Sequence, residues 1–312
     1  MREILIVTPV YNDWQSLFIL IESIKKVASR NNLEIHILVI DDGSTHPPEL
    51  MFPAELKLVR LARNLGHQRA IAVGLSIVNT MQVKMPVIVM DCDGEDRPED
   101  IPLLLAEYDA HPGQIIFAQR AKRYEGGLFL PFYVIFKFIF HLLTGTKISF
   151  GNYCVVPAEN LRRIVYMQEI WNNFPAGVMR SGLTWRTVPT ERGKRYAGRS
   201  KMNLVALVAH GLSAISVFIE VVYVRLLFAA LFIMGLDIAA FFVLVYIRFF
   251  TLTPVPDWAT SVGIGLMVIM VQAILFLALL SFFVLSYRSS KSFIPAIDYK
   301  VFVSEDGLDF LD

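Results

Sequence analysis

The stretch PVIVMDCDGEDRPED, from Pro86 to Asp100, passes from an apolar run into a crowd of carboxylates. Val87, Ile88 and Val89 have the character of a buried strand, and Asp91, Asp93, Glu95 and Asp96 follow at once. Like charges this close repel, so the arrangement costs stability unless something positive lies among them. A divalent cation, a set of arginines and plain water are the candidates. The fold around the stretch bears on which of them applies.

Working outward, similar Ile- and Val-rich runs occur at EILIVTP, EIHILVID, ELKLVRL and QIIFAQ. Between most of them lie segments with helical spacing, such as WQSLFILIESIKKVASR, RAIAVGLSIVNTM and DIPLLLAEYDA. Strands alternating with helices imply βαβ units and an α/β fold, a mostly parallel sheet with helices on both faces. Ligands of such sheets bind beyond the carboxyl ends of the strands. The residues there are Pro9 to Asp13, Asp41 to Ser44, Asp91 to Asp93, and Gln119 with Arg120. Acids, hydroxyls and a cation thus gather at one rim, where a charged ligand would sit.

The 312-residue chain carries a net charge of +1, which excludes a strongly basic nucleic-acid-binding surface. Its 55% hydrophobic content is high for a soluble enzyme. The excess is uneven: residues 1–200 mix charged and apolar positions as a globular domain does, whereas charge almost disappears from Leu204 to Leu285. Residues 226–247 and 261–285 are each long enough to cross a bilayer, which takes about 20 residues. The apolar runs at 126–145 and 201–224 are interrupted by Lys137, His141, His210 and Glu220, and are expected to lie on the membrane. Residues 288–312 are expected to form a cytosolic tail.

Arg225 precedes the first span, and Arg288 and Lys291 follow the second, so the positive-inside bias puts both ends of the hairpin in the cytosol. The N-terminal residues lead directly into a strand-like run without a leader pattern, which agrees with a soluble domain on the cytosolic face of the inner membrane. Asp237, inside the first span, is costly against lipid and is expected to face another helix or a partner subunit, which invites homo-oligomeric assembly. Only two cysteines occur, Cys92 and Cys154, too few for a thiolate metal site.

Two aspartates one residue apart at a strand end, as in Asp91 and Asp93, offer hard oxygen ligands suited to Mg²⁺ or Mn²⁺ with room for phosphate oxygens. A solvated acidic turn is the alternative. The second acidic turn, Asp41 to Ser44, reads as nucleotide binding or as a plain Asx turn. Glu95 reads as a metal ligand or as the partner of Arg97, and His67 as a structural histidine. The segment RGKRYAGRSK reads as a phosphate site or as the positive flank of a membrane helix.

The motifs TPVYND, VIDDGST, RNLGHQRAIAVGL, VIVMDCDGEDRPED, AQRAKR and RGKRYAGRSKM, in that order and ahead of two spans, resemble the inverting glycosyltransferases of GT-A fold. Within them the chain is most similar to the polyprenyl-phosphate glycosyltransferases of the dolichyl-phosphate mannose synthase type. The resemblance implies transfer of one sugar from a nucleotide-sugar donor, UDP-hexose before GDP-mannose, to a polyprenyl phosphate. It implies nucleotide contacts at Pro9, Tyr11, Asp13, Asp41 and Asp91, and Mg²⁺ or Mn²⁺ at Asp91, Asp93 and Glu95. Glu95 stands where the family often has Gln. The acceptor phosphate would meet Arg120, Arg123, Arg192, Arg195, Ser200 and Lys201, with Asp91, Asp93 and Arg120 carrying the catalysis.

Two other functions compete. A processive polysaccharide synthase would show QxxRW and more spans, whereas Trp185 here precedes Arg186 and Gly182 stands where the Gln is sought. A catalytically inactive membrane scaffold would be expected to lose the acids and cations that this chain retains.

Overall fold

The computed structural model describes residues 1–48, 56–120, 129–198, 204–251, 258–290 and 293–304. The Val- and Ile-rich runs form strands because branched side chains fit a pleated, buried surface. In chain order these are β1 (Arg2–Val10), β2 (Leu33–Asp41), β3 (Leu56–Arg60), β4 (Val87–Val89) and β5 (Ile115–Arg120). Helices α1 (Trp14–Asn31), α2 (His67–Thr80) and α3 (Ile101–Ala110) lie between them, as the helical spacing predicts. Two strands are additional: β6 (Cys154–Val156) and β7 (Trp185–Thr190).

The seven strands form one sheet in the order β3-β2-β1-β4-β6-β5-β7. Only β6, among the described strands, runs against the rest, pairing antiparallel with β4 and with β5. Alternation along β1 sends Ile4 and Ile6 to one face and Leu5 and Val7 to the other. The first face packs with the α1 residues Leu17, Leu20, Ile21 and Ile24, the second with the α2 residues Ile71, Leu75 and Val78. Fully burying each such side chain contributes roughly 1.5–3 kcal/mol. Burial on both faces holds the carboxyl ends of β1, β2 and β4 in fixed register, with Val10 opposite Asp41 and Val7 opposite Val89. That register builds the rim.

Beyond β5 the chain forms α4 (Phe129–Thr144), α5 (Ala158–Val165), α6 (Phe174–Arg180), α7 (Leu204–Ser216), α8 (Ile219–Phe250), α9 (Trp258–Ser289) and α10 (Pro295–Asp298). Two compact units result. The first takes in the described residues up to Lys137, those from Lys147 to Val217, and 293–304; the second takes in Phe138–Thr146 and the described residues between Phe218 and Ser290.

The expected boundaries shift in three places. The run at 201–224 is not one surface helix: α7 ends at Ser216, and Glu220 and Tyr223 belong to the first turns of α8. The helices α8 and α9 extend past 226–247 and 261–285, to 32 residues each. Hydropathy stops a span at its first charges, whereas helical hydrogen bonding continues through Glu220, Arg225, Arg248 and Arg288. Finally, residues 293–304 are no free tail. Tyr299 is 1% exposed in the core with α2, Val303 bridges Leu61, and Phe293 lies 4.1 Å from Trp171 between ring centroids.

In the second unit α8 and α9 are both long and apolar enough to cross a membrane. The Tyr223 hydroxyl lies 3.2 Å from Ser281 Oγ, and Arg288 pairs with Glu220 at 3.1 Å, so the two helices form an antiparallel hairpin with charges at one end. Arg225 Nη1 donates to the Leu142 carbonyl at 2.6 Å, tying the C-terminal end of α4 to α8. This places a cation at the negative pole of α4. Asp237 is buried at 7% exposure.

Candidate active site

The loop after β1 and the loop after β2 are tied together by one residue. Asn12 takes the left-handed conformation, φ 49°, which Asn tolerates better than most residues. Its backbone N–H donates to Ser44 Oγ at 2.9 Å, and its Oδ1 accepts from Thr45 N at 3.0 Å. Asp41, only 3% exposed, accepts from Ser44 N at 2.8 Å and pairs with Arg60 Nε at 3.4 Å. The Asp41 carboxylate thus holds the turn through the N–H three residues on, while its carbonyl accepts from Gly43 N at 2.7 Å.

Asp42 is equally buried and is consumed by the next loop, accepting from Leu65 N at 2.7 Å and Gly66 N at 3.0 Å. Burial pushes its carboxyl above the ordinary range, against the pull of those two N–H donors. Gly43 completes the fit, with φ +67° and its Cα so near Arg63 that an added Cβ would lie 2.5 Å from the Arg63 carbonyl carbon. Only glycine meets both conditions.

The acidic stretch after β4 is held differently. Asp96, 4% exposed, caps the strand by accepting from Asp91 N at 2.9 Å. Asp93 Oδ1 accepts from Glu95 N at 2.9 Å, while Oδ2 faces Arg195 Nη1 at 3.0 Å. Burial raises the Asp93 carboxyl above its usual range, and the Asp91 charge adds to the rise; the Glu95 N–H and Arg195 oppose it. Asp91 Oδ1 lies 2.9 Å from His67 Nε2 at the first turn of α2. Burial alone would push the His67 imidazole down, but the charges of Asp91, Asp96 and Asp93 with the Asp91 hydrogen bond outweigh it, and the net shift is upward.

A loop from beyond β7 lies along this turn. Gly193 N donates to Glu95 O and Tyr196 N donates to Asp93 O, each at 2.9 Å. Gly94 has φ +90° with the Tyr196 ring against it, where a Cβ would stand 2.7 Å from Cδ2, and a Cβ on Gly193 would run into the Gly94 carbonyl. The two chain segments are matched through their glycines. Arg192 then reaches Glu95 at 2.7 Å, and Arg195 bridges Asp93 and Asp13, the latter at 3.4 Å. Arg97 pairs with Glu191 at 2.7 Å instead of with Glu95.

The fold therefore brings Asp13, Asp91, Asp93, Glu95, Arg192 and Arg195 together. Pro9 sits in β1 opposite Ile40, and Tyr11, 38% exposed, stands at the rim. Arg120 is the last residue of β5; its side chain, like Arg123, Ser200 and Lys201, lies outside the described residues. Among the described residues no three His, Cys, Asp or Glu side chains converge as a ready-made metal centre. Sequence reasoning set His67 aside, took Asn12 only as part of the motif after β1, and did not consider Asn152, whose Nδ2 lies 2.9 Å from His67 Nε2. The one signal for His67 was that it opens a helix following a strand, which in a βαβ unit starts at the rim side of the sheet.

The model of the family described as "Glycosyl transferase family 2" matches residues 5–170. Over 274 residues, 84% of this chain and 82% of the relative, the sequence is 24% identical to an "Uncharacterized glycosyltransferase YkcC" of Bacillus subtilis (strain 168). It is also 32% identical over 131 residues to an undecaprenyl-phosphate 4-deoxy-4-formamido-L-arabinose transferase of Pectobacterium carotovorum. That match spans 40% of this chain and 38% of the relative, well under half of its length. The fold is similar to glucosyl-3-phosphoglycerate synthase from Mycobacterium tuberculosis, solved with Mn²⁺, UDP-glucose and phosphoglyceric acid. The TM-score is 0.53 at 15% identity, covering 71% of this chain and 80% of that one.

Proposed function

The chain belongs to glycosyl transferase family 2, and from that premise we propose that it moves one sugar from a UDP-hexose to a polyprenyl phosphate at the cytosolic membrane face, with inversion. The observation that carries the proposal is Asp91 and Asp93 at the carboxyl edge of the sheet, within ion-pair reach of basic residues, in a chain that also holds two apolar helices of spanning length. Acids and cations side by side suit two anions that must meet, a diphosphate and a phosphate ester.

Each group then has a role. Tyr11 is exposed enough to stack on the base, Asp13 lies beside it for ribose or base contacts, and Asp41 acts through the turn it holds. Asp91 and Asp93, joined by Glu95, would hold Mg²⁺ or Mn²⁺; their hard oxygens fit such an ion, and phosphate oxygens and water would complete its shell. When bound, the ion supplies neutralisation of the diphosphate charge that develops as the sugar leaves.

The acceptor is a phosphate ester, already anionic near neutral pH, so its oxygen attacks the anomeric carbon without a general base. The new C–O bond forms on the face opposite the breaking bond to the diphosphate, which departs as UDP. The arginines at 120, 123, 192 and 195, with Ser200 and Lys201, would hold the acceptor phosphate at attack distance. A polyprenyl tail gains about 0.8 kcal/mol per buried methylene and stays in the bilayer. The exposed apolar residues Val205, Val208 and Leu212 of α7 suit a lipid surface beside the basic segment that precedes them in sequence.

The test supplies radiolabelled UDP- and GDP-sugars to membranes containing the protein, undecaprenyl phosphate and Mn²⁺. Label from a UDP-hexose should enter the lipid fraction, in a product whose anomeric configuration is opposite to the donor's. No labelled lipid from any donor would overturn the proposal.

A further inference from the structure

By resemblance Arg195 belongs to the acceptor phosphate, yet its guanidinium spans the two acids of the donor rim. Nη1 lies 3.0 Å from Asp93 and Nη2 lies 3.4 Å from Asp13, while Nε is buried with no acceptor among the described residues. The backbone that carries it is held independently, through Gly193 N to Glu95 O, Tyr196 N to Asp93 O and the packing of Tyr196 on Gly94. The guanidinium can therefore leave Asp93 without releasing the loop.

We infer that Arg195 is an exchangeable internal counter-ion: it offsets the charges of Asp13 and Asp93 until a divalent ion takes Asp93, and the displaced guanidinium then donates its N–H groups to an anion at the same rim. A divalent cation on the Asp93 carboxylate would repel the guanidinium 3.0 Å from Oδ2 and draw off the charge that holds it. The ion and Arg195 therefore compete for Asp93. The inference rests on Asp91 and Asp93 being the metal pair of the proposed function, and it adds an order of events. Metal and donor load first, and only then is the Arg195 fork free for the acceptor phosphate.

The full-length protein in nanodiscs is titrated with Mn²⁺ alone, followed by calorimetry and by the paramagnetic resonance signal of free Mn²⁺. Wild type is compared with Arg195→Gln and with Lys194→Gln, which removes the same charge from an exposed neighbour on the same loop. Arg195→Gln should bind Mn²⁺ about fivefold tighter, the factor expected from one part-buried ion pair. Lys194→Gln should change it by less than about twofold, since an exposed charge is screened. Arg195→Lys keeps the charge but loses the fork, and should fall between them.

Unchanged or weaker binding in Arg195→Gln overturns the inference, as does equal tightening in Lys194→Gln or no Mn²⁺ binding by any of the proteins. The readout involves neither sugar nor lipid. Tighter binding in Arg195→Gln beside a wild type that makes no lipid product would therefore leave this inference standing and bring down the proposed function alone. Unchanged binding beside an active wild type would do the reverse.

Discussion

Two acidic turns stand at neighbouring strand ends, and they differ in what neutralises them. After β2, Asp41 and Asp42 spend their oxygens largely on backbone N–H groups, those of Ser44, Leu65 and Gly66. After β4, Asp91 and Asp93 face ionisable side chains brought from elsewhere in the chain, His67 and Arg195. A carboxylate held by backbone amides cannot give them up without unmaking the loop. One held by a side chain can change partner while the loop stays. The first turn has the character of scaffold, and on the proposed function the second is where the ligand enters.

The largest effect that would sharpen this contrast is on Asp93→Asn. The amide keeps an oxygen for Glu95 N, so the turn survives, while the charge that would hold a divalent ion is gone. Transfer of labelled sugar to lipid should fall by about a hundredfold or more, with little change in thermal unfolding. Ordinary activity would place the chemistry elsewhere and erase the distinction. Asp42→Asn should show the opposite profile, because one amide N–H₂ would meet the N–H groups of Leu65 or Gly66. Stability should drop by about 1–3 kcal/mol in urea unfolding, and a variant as stable as wild type would remove Asp42 from the scaffold. Glu95→Gln is the smallest change. It weakens the pair with Arg192, so stability should move by less than about 1 kcal/mol; a loss as large as that of Asp42→Asn would put Glu95 with the first turn.

The sheet was readable because its central strands are runs of Ile and Val buried on both faces, and the rim followed from where those runs end. The strand β6 was not readable, its CVV lying between Gly151-Asn-Tyr and Pro157 with no helical segment directly before it to mark a βαβ unit, nor was β7, whose WRTVPT lacks an apolar run and contains a proline. The break between α7 and α8 has no Gly or Pro in SVFIE to announce it. At the site, residue types were legible and partners were not. Glu95 pairs with Arg192, 97 positions away, instead of with nearby Arg97, because the folding of the late loop decides it. His67 looked structural in sequence, since nothing local shows that α2 begins beside Asp91.

The return of residues 293–304 to the first unit has a consequence for biogenesis. Ser304 donates to the Arg60 carbonyl across 244 positions of chain, and Val303 pairs with Leu61 in the loop that leads to the Asp42 anchors. The ribosome therefore delivers the closing segment of the catalytic unit only after both apolar helices have emerged. A chain stalled or cut before that point lacks Tyr299 and Val303, and water reaches the flank of α2. The core of the first unit is thus completed only after synthesis of α8 and α9.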